Sequence, residues 1–253
     1  MYTVADIVRA MDVIAPLCTQ LDWDNSGLLV GDPAKGVERV LVALDATLSV
    51  IEKAEEVGAG LIVTHHPIIF RPVKRFLAGE PAYEAAVRGI SVYSAHTCYD
   101  MAEAGVNAAL ADALGLRGRC PLWEERPGDA AGRRLGIAGE LPCGMSREEL
   151  AAWVEEALGL GAGYVRWPGE AGAEVITRVA VCGGAGADYL LEAIALGCQA
   201  YITGDVRHHE FLEAERLGLL LMDAGHGATE AIAMPQLQKQ LSAALPGLQV
   251  LLA

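Results

Sequence analysis

The amino-acid sequence predicts an α/β fold made of two pseudo-symmetric lobes. Short apolar runs typical of strands alternate with segments of helical periodicity, which is the pattern of parallel β-α-β units. In addition, residues 39–66 align without a gap with residues 178–205. Two lobes related in this way would place the carboxyl ends of both sets of strands around one crevice, where open α/β sheets bind ligands.

The first lobe is predicted from three apolar runs. Residues 39–46 and 61–66 (RVLVALDA and LIVTHH) are typical of strands, and residues 91–96 (SVYSAH) predict a third. Between the first two runs, residues 48–60 have helical spacing and end on glycines that suit a helix C-terminus. We assign this lobe to residues 1–116.

The second lobe repeats this order of elements. Strands are predicted at residues 175–184, 200–205 and 217–226. Helices are predicted near residues 187–197 and 208–217. We assign this lobe to residues 171–253.

The middle of the chain has a different composition. It begins with a stretch rich in Gly, Pro and Arg, and a helix is then predicted from Ser146 and Glu149, which stand at capping-box spacing. We predict that residues 117–170 form a short inserted or bridging unit between the lobes.

Composition excludes several classes of protein. The chain has 253 residues and a formal net charge of −14, which argues against a nucleic-acid partner held through its phosphates. Six cysteines include no C-x-x-C pair, which disfavours a thiolate zinc site. No uncharged run reaches the ~20 residues of a membrane-spanning helix, and the first residues do not resemble a signal peptide. We therefore expect a cytoplasmic protein without a membrane partner.

The histidines are the most informative residues. There are six of them, at positions 65, 66, 96, 208, 209 and 226. Most follow a predicted strand, which is where α/β folds place their chemistry. His96 and His226 are each followed four residues later by a carboxylate, Asp100 or Glu230. A single histidine in such a place is more often structural, but a set of this kind favours a Zn, Fe or Mn site.

The adjacent pair His65 and His66 favours two metal ions over one. Neighbouring side chains on a strand point to opposite faces, so the pair can share a site only where the strand has ended, and Pro67 supports an end there. Each histidine would then bind its own ion. Two ions ~3.5–4 Å apart with a bridging water form a recurrent hydrolytic arrangement.

Five motifs together resemble a known family. They are DWDNSGLLVGD, THHPIIF, YSAHTCYD, AYITGD followed by HHEFLEAE, and DAGHGATE. In this order they resemble the NIF-three-like family, also called GTP cyclohydrolase I type 2-like proteins, over residues 1 to about 245. The resemblance implies a toroidal homohexamer of two-lobed α/β subunits with a dinuclear metal site in the crevice, here in a compact form without a larger inserted domain.

The same resemblance implies a set of site residues. The metal ligands for two divalent ions would be His65, His66, Asp100, His226 and Glu230, with Glu230 as the bridge. His96, the pseudo-symmetric mate of His226, would ligate a metal or orient a ligand or the bridging water. His209 occupies a position that is usually histidine in the family, and we predict that it is a general acid or a substrate contact. We predict that His96 and His209 are the catalytic residues.

Cys98 departs from the family pattern, which usually has asparagine in the H-T-N-x-D motif. A thiol two residues from Asp100 would be either a buried small side chain or a softer ligand near the metal. We favour the buried side chain.

We predict a dinuclear metal-dependent hydrolase in which a metal-bridging hydroxide attacks a small nucleotide-like substrate. The family name points to GTP, with water adding to C8 of the purine. No G-x-x-x-x-G-K-[ST] phosphate loop is present, so the nucleotide follows from the resemblance alone. The alternatives are a non-catalytic metal-binding hexamer, acting as a chaperone, sensor or scaffold, and a dinuclear phosphoesterase.

Overall fold

The computed structural model describes residues 1–125, 132–169 and 172–253. The chain divides into two compact units. Unit 1 comprises Met1–Gly105 and Met234–Ala253, and unit 2 comprises Val106–Ala233. Within the described residues, no helix has both the length and the apolar character that crossing a membrane requires.

The strands and helices have the following bounds. The strands are β1 (Tyr2–Thr3), β2 (Gly27–Val30), β3 (Gly36–Val37), β4 (Arg39–Ala43), β5 (Leu61–Thr64), β6 (Ser91–Ser94), β7 (Arg117–Glu124), β8 (Arg134–Met145), β9 (Ile176–Val181), β10 (Ala200–Thr203), β11 (Leu220–Asp223) and β12 (Gln249–Leu252). The helices are α1 (Val4–Ile14), α2 (Leu48–Glu56), α3 (Pro81–Val87), α4 (Thr97–Asp100), α5 (Val106–Ala113), α6 (Arg147–Ala157), α7 (Leu190–Ala195), α8 (His208–Arg216), α9 (His226–Ala231) and α10 (Met234–Ala244).

Unit 1 is built on a five-stranded sheet in the order β12-β4-β5-β6-β2. The first four strands are parallel, and β2 pairs antiparallel with β6. Every residue of β5 and β6 is buried, as expected where helices cover both faces of a parallel sheet. Helix α2 begins at the capping side chain of Thr47 and packs Ile51 against Leu41 and Ile62 in the core.

Unit 2 is built on a second five-stranded sheet in the order β11-β10-β9-β8-β7. Strands β9, β10 and β11 are parallel, whereas β8 and β7 are antiparallel to their neighbours. The core contains Val179, Ile202 and Met222 from the parallel strands and Leu150 from α6. Helix α6 starts with the predicted capping box of Ser146 and Glu149.

The predicted two-lobed α/β fold is confirmed. Each unit contains three parallel strands in sequential order, β4-β5-β6 in unit 1 and β9-β10-β11 in unit 2, joined by helical crossovers. Thr64 and Thr203, which align in the repeat, each end a strand and are fully buried. The internal similarity of the sequence therefore reflects the same β-α-β framework in both units.

The unit boundaries differ from the predicted boundaries at residues 1–116, 117–170 and 171–253. The middle segment is not a separate unit, because β7 and β8 extend the sheet of unit 2. Residues 234–253 belong to unit 1, because β12 pairs with β4. The Gly, Pro and Arg content of the middle segment concealed its strands, and residues 126–131 and 170 of that segment lie outside the described residues.

Candidate metal centre

Three histidines cluster at the carboxyl ends of two neighbouring strands in unit 1. His65 and His66 directly follow β5, and His96 follows β6 by two residues. One ring nitrogen from each lies within 4.8 Å of the others. His65 is completely buried, and the other two are partly buried. Parallel pairing of β5 with β6 brings the two strand ends together, so the cluster follows directly from the sheet.

Each imidazole of this cluster is oriented through its Nδ1 atom. The Nδ1 of His65 lies 2.9 Å from the carbonyl oxygen of Ala95. The Nδ1 of His66 lies 2.8 Å from Asp45 Oδ1, and the Nδ1 of His96 lies 2.8 Å from Asp24 Oδ1. With the proton on Nδ1, Nε2 is the unprotonated nitrogen, which is the form that binds a metal. Outer oxygen acceptors of this kind are typical of metal-binding histidines.

Asp24 holds His96 through a carboxylate that is inaccessible to solvent. Besides His96, its carboxylate accepts hydrogen bonds from the backbone nitrogen and hydroxyl of Thr97, at 3.0 and 2.6 Å, and from the Ser26 hydroxyl at 3.0 Å. Burial opposes ionisation, but the hydrogen bonds from His96 and Thr97 outweigh it and hold the pKa of Asp24 well below its usual range. Asp24 and Ser26, from the motif DWDNSGLLVGD, are therefore part of this site.

Asp100 completes the set of donor side chains in unit 1. It ends the short helix α4, which starts directly after His96, and its Oδ1 lies 3.6 Å from His65 Nε2. The structure thus brings together the predicted ligands His65, His66 and Asp100. Cys98 on the same helix is completely buried, and burial raises the pKa of its thiol to about 12. The thiol is therefore protonated at neutral pH, in agreement with the favoured interpretation.

Unit 2 places its two predicted ligands on one helix. His226 begins α9, and Glu230 follows one turn later on the same face, with its Oε1 at 3.1 Å from His226 Nε2. The Nδ1 of His226 lies 2.8 Å from Asp205 Oδ2. The hydrogen bond to Glu230 raises the pKa of His226 to about 9, against the effect of burial and with help from Asp205. A metal ion at Nε2 would take the place of that proton.

The backbone around Glu230 is shaped to admit its carboxylate. Gly184 has φ +68°, and a Cβ atom at this position would lie 2.4 Å from Glu230 Oε1. The backbone amide of Gly184 donates to the Thr229 hydroxyl at 3.0 Å, which ties the segment after β9 to helix α9. Asp205, the orienting partner of His226, has φ +53°, a conformation that L-residues rarely adopt.

The orienting roles of Asp45 and Asp205 are not predicted by the sequence analysis. A signal for them is present in the sequence: Asp45 precedes His66 by 21 residues, and Asp205 precedes His226 by the same 21 residues. In both pairs the aspartate follows one strand and the histidine follows the next strand along the chain.

The structure places the two predicted catalytic histidines in different environments. His96 joins His65 and His66, so it is positioned as a further donor to a metal. His209 is exposed in the first turn of α8, next to the equally exposed His208. In the described part of the chain, the groups of side chains that could bind a metal include neither His208 nor His209.

The donor chemistry of both units suits a divalent transition metal. Unit 1 offers three oriented imidazoles and one carboxylate, and unit 2 offers one oriented imidazole and one carboxylate. Mixed nitrogen and oxygen ligands of this kind are typical of Zn, Fe and Mn sites, whereas Mg and Ca prefer oxygen alone. These histidines and carboxylates are therefore able to hold a metal ion.

Comparison with known proteins places the chain in a family. A profile of the Duf34/NIF3 (NGG1p interacting factor 3) family matches residues 2–253. Two relatives are each named GTP cyclohydrolase 1 type 2 homolog. The one from Clostridium perfringens is 34% identical, and the match covers 89% of this chain and 86% of the relative. The one from Streptomyces coelicolor is 38% identical, and the match covers 91% of this chain and 82% of the relative. The crystal structure of the Staphylococcus aureus hypothetical protein SA1388 superposes with a TM-score of 0.89 at 28% identity, covering 99% of this chain and 96% of that one. The chain belongs to the Duf34/NIF3 family.

Proposed function

We propose that this protein is a metal-dependent hydrolase that uses two divalent cations. The proposed ligands are those implied by the family resemblance: His65, His66, Asp100, His226 and Glu230. The observation that carries the proposal is the common orientation of the imidazoles, each with its Nδ1 next to an oxygen acceptor. Such orientation costs conformational freedom that a surface histidine has no reason to lose.

The side chains around the ligands have defined tasks in this proposal. Asp45, Asp24 and Asp205 hold His66, His96 and His226 in the tautomer that ligates through Nε2. Divalent cations, when bound, would act as Lewis acids and supply hydroxide near neutral pH. His96 would either add a sixth donor or act as a proton acceptor, in both cases through Nε2, because Asp24 holds the proton on its Nδ1.

His209 keeps its predicted role as a proton donor or a substrate contact. It is exposed to solvent and belongs to none of the ligand groups, so an imidazole in this position is available to exchange protons with a bound substrate. This role depends on a substrate that reaches the start of α8.

A nucleotide is the proposed substrate, with GTP as the first candidate. The two relatives described above carry the name GTP cyclohydrolase 1 type 2 homolog, and water would add to C8 of the purine. A chain of net charge −14 repels a triphosphate unless cations lie near the site. Three exposed bases, Arg71, Lys74 and Arg75, follow the His65–His66 pair within ten residues and would attract an anionic substrate.

We also propose that the protein assembles as a homohexamer in the cytoplasm, as the family resemblance implies. Light scattering coupled to chromatography should then give a mass about six times that of the 26.6 kDa subunit. A monomer in solution would contradict the toroid.

A binding role without catalysis is the second candidate. Three imidazoles within 4.8 Å of one another leave a fourth position open on one ion, but Asp100, 3.6 Å from His65, could fill it. An ion with four protein ligands does not activate water. A metal-binding scaffold or sensor would need no open coordination position.

The decisive experiment compares turnover by matched variants. Purified protein loaded with Zn, Fe(II) or Mn is assayed for formate release from GTP and for cleavage of bis-p-nitrophenyl phosphate, with metal content measured in parallel. We expect GTP turnover in the wild type, its loss in His65→Ala, and its retention in His208→Ala, which removes an exposed histidine that has no assigned role. Turnover of the phosphodiester alone would favour a phosphoesterase, and turnover of neither above the His65→Ala level would favour the binding role.

A further inference from the structure

Two exposed aromatic side chains stand next to the histidine cluster of unit 1. Trp23 is 59% exposed and Phe70 is 44% exposed. Their ring centroids are 6.0 Å apart, and each ring meets the His96 imidazole edge to face, at 5.9 Å for Trp23 and 6.0 Å for Phe70. We call Trp23 and Phe70 the aromatic ledge. No metal-binding task described above uses either residue.

Hydrogen bonds fix the backbone next to the ledge although its rings face solvent. The side-chain amide of Asn25 donates to the carbonyl oxygen of Ile69 at 2.5 Å, which ties the segment carrying Trp23 to the segment carrying Phe70. The side chain of Asp24, next to Trp23, is inaccessible to solvent and is bonded to His96 and Thr97. An exposed indole held in place by its neighbours is preorganised for binding, since little conformational freedom remains to be lost.

We infer that the aromatic ledge binds the flat heteroaromatic ring of the ligand and presents it to His96 and its neighbours. The inference rests on the proposed function and names the residues that recognise the ring. Indole and phenyl rings bury a large area per rotatable bond and stack on any planar base. Recognition of this kind selects for a flat ring rather than for a pattern of hydrogen-bond donors.

The chain supplies a matched control in Phe76. It is also 44% exposed and lies on the same exposed segment as Phe70, but its ring packs on Tyr83, with centroids 5.8 Å apart, rather than on a histidine. Removal of Phe76 takes away the same apolar area while leaving the ledge intact.

The test measures equilibrium binding by the metal-loaded full-length protein. The probes are GTP and inorganic triphosphate, which lacks the ring. The variants are Trp23→Ala, Phe70→Ala, Trp23→Phe and Phe76→Ala, each checked for metal content and thermal unfolding. We expect Trp23→Ala and Phe70→Ala to weaken GTP binding about 5- to 150-fold without changing triphosphate binding. Trp23→Phe should recover part of the loss, and Phe76→Ala should match the wild type.

The outcomes separate this inference from the hydrolase proposal. If GTP binds but neither GTP nor the phosphodiester is hydrolysed, and Trp23→Ala weakens GTP binding, the ledge stands and the hydrolase proposal fails. If GTP affinity and KM are the same in Trp23→Ala as in the wild type, the ledge is overturned even when hydrolysis occurs. Equal weakening of GTP and triphosphate binding, or no GTP binding by the wild type, would also overturn it, and turnover of the phosphodiester then judges the hydrolase proposal independently.

Discussion

Unit 1 and unit 2 share a parallel β-α-β framework but carry different side chains at the ends of its strands. In unit 1, Asp45 after β4 holds His66 after β5. In unit 2, the positions that align with these two residues carry Gly184 and Asp205, and Asp205 holds His226 after β11. The aspartate–histidine pair thus follows the first and second parallel strands in unit 1 but the second and third in unit 2. The position that aligns with Asp45 is Gly184 in unit 2.

This difference shows how a repeated framework can acquire two kinds of donor. A side chain at position 184 would collide with Glu230, whereas glycine leaves room for its buried carboxylate. Unit 1 consequently presents mainly imidazoles, and unit 2 presents a carboxylate with one imidazole. A carboxylate offers a metal two oxygens, whereas an imidazole offers one available nitrogen.

The largest expected effect follows from Glu230→Gln. Loss of the carboxylate charge should weaken metal binding by about 100-fold or more, beyond the roughly 10- to 100-fold typical of outer partners, and by more than His96→Ala does. Metal content after dialysis against a graded chelator measures the effect. Glu210→Gln is the control, because Glu210 is also buried in unit 2 but caps α8. If Glu230→Gln keeps its full metal content, Glu230 is not a ligand and the metal binds to the imidazoles of unit 1.

The orienting aspartates are expected to have the next largest effect. Asp45→Asn and Asp205→Asn should each weaken metal binding roughly 10- to 100-fold, since the imidazoles lose their charged acceptors. Asp112→Asn serves as the control, because this exposed carboxylate pairs with Arg119 at the surface. If only one of the two variants loses metal, the aspartate–histidine pairs do not have equivalent roles in the two units.

A smaller effect should separate Gly184→Ala from Gly197→Ala. Both glycines have φ near +70°, so both variants bear a similar backbone strain of roughly 1 kcal/mol. A Cβ at position 197 meets nothing within 4 Å, whereas a Cβ at position 184 meets Glu230. We expect metal affinity to fall about tenfold or less in Gly184→Ala alone. Urea unfolding measures the shared strain, and equal metal affinities would show that the Glu230 carboxylate can move at little cost.

The smallest effect concerns two buried thiols, Cys98 in unit 1 and Cys198 in unit 2. Burial raises the pKa of Cys98 to about 12 and that of Cys198 to about 11, from a reference value of 9.0. Because the folded-state pKa values are raised, this contribution to stability is complete below pH 9 and is lost as pH rises through these values. Each thiol should lower the free energy of unfolding by about 1.4 kcal/mol between pH 7 and pH 10. Urea unfolding of Cys98→Ala should show a smaller decrease, and a decrease equal to that of the wild type would contradict the shift.

The framework could be predicted from sequence more fully than the site. Buried parallel strands are continuous apolar runs, so β4, β5, β9 and β10 were evident, and the ends of these strands marked His65 and His66. Strands β7 and β8 were missed because Gly, Pro and Arg interrupt their apolar pattern. The sequence does not predict that Asp45 orients His66, because this hydrogen bond depends on side chains that follow two neighbouring strands. Its only trace in the sequence is the 21-residue separation that Asp45 and His66 share with Asp205 and His226.

The pairing of β12 with β4 has a consequence for the order in which the protein is made. Unit 1 is interrupted by the whole of unit 2, and Met234–Ala253 is synthesised after unit 2. Until that segment arrives, β4 has an open edge that can pair with other chains. Unit 2, being continuous in sequence, is free of this delay and can fold first. A nascent chain stalled before residue 234 would therefore carry a foldable second unit and an aggregation-prone first one.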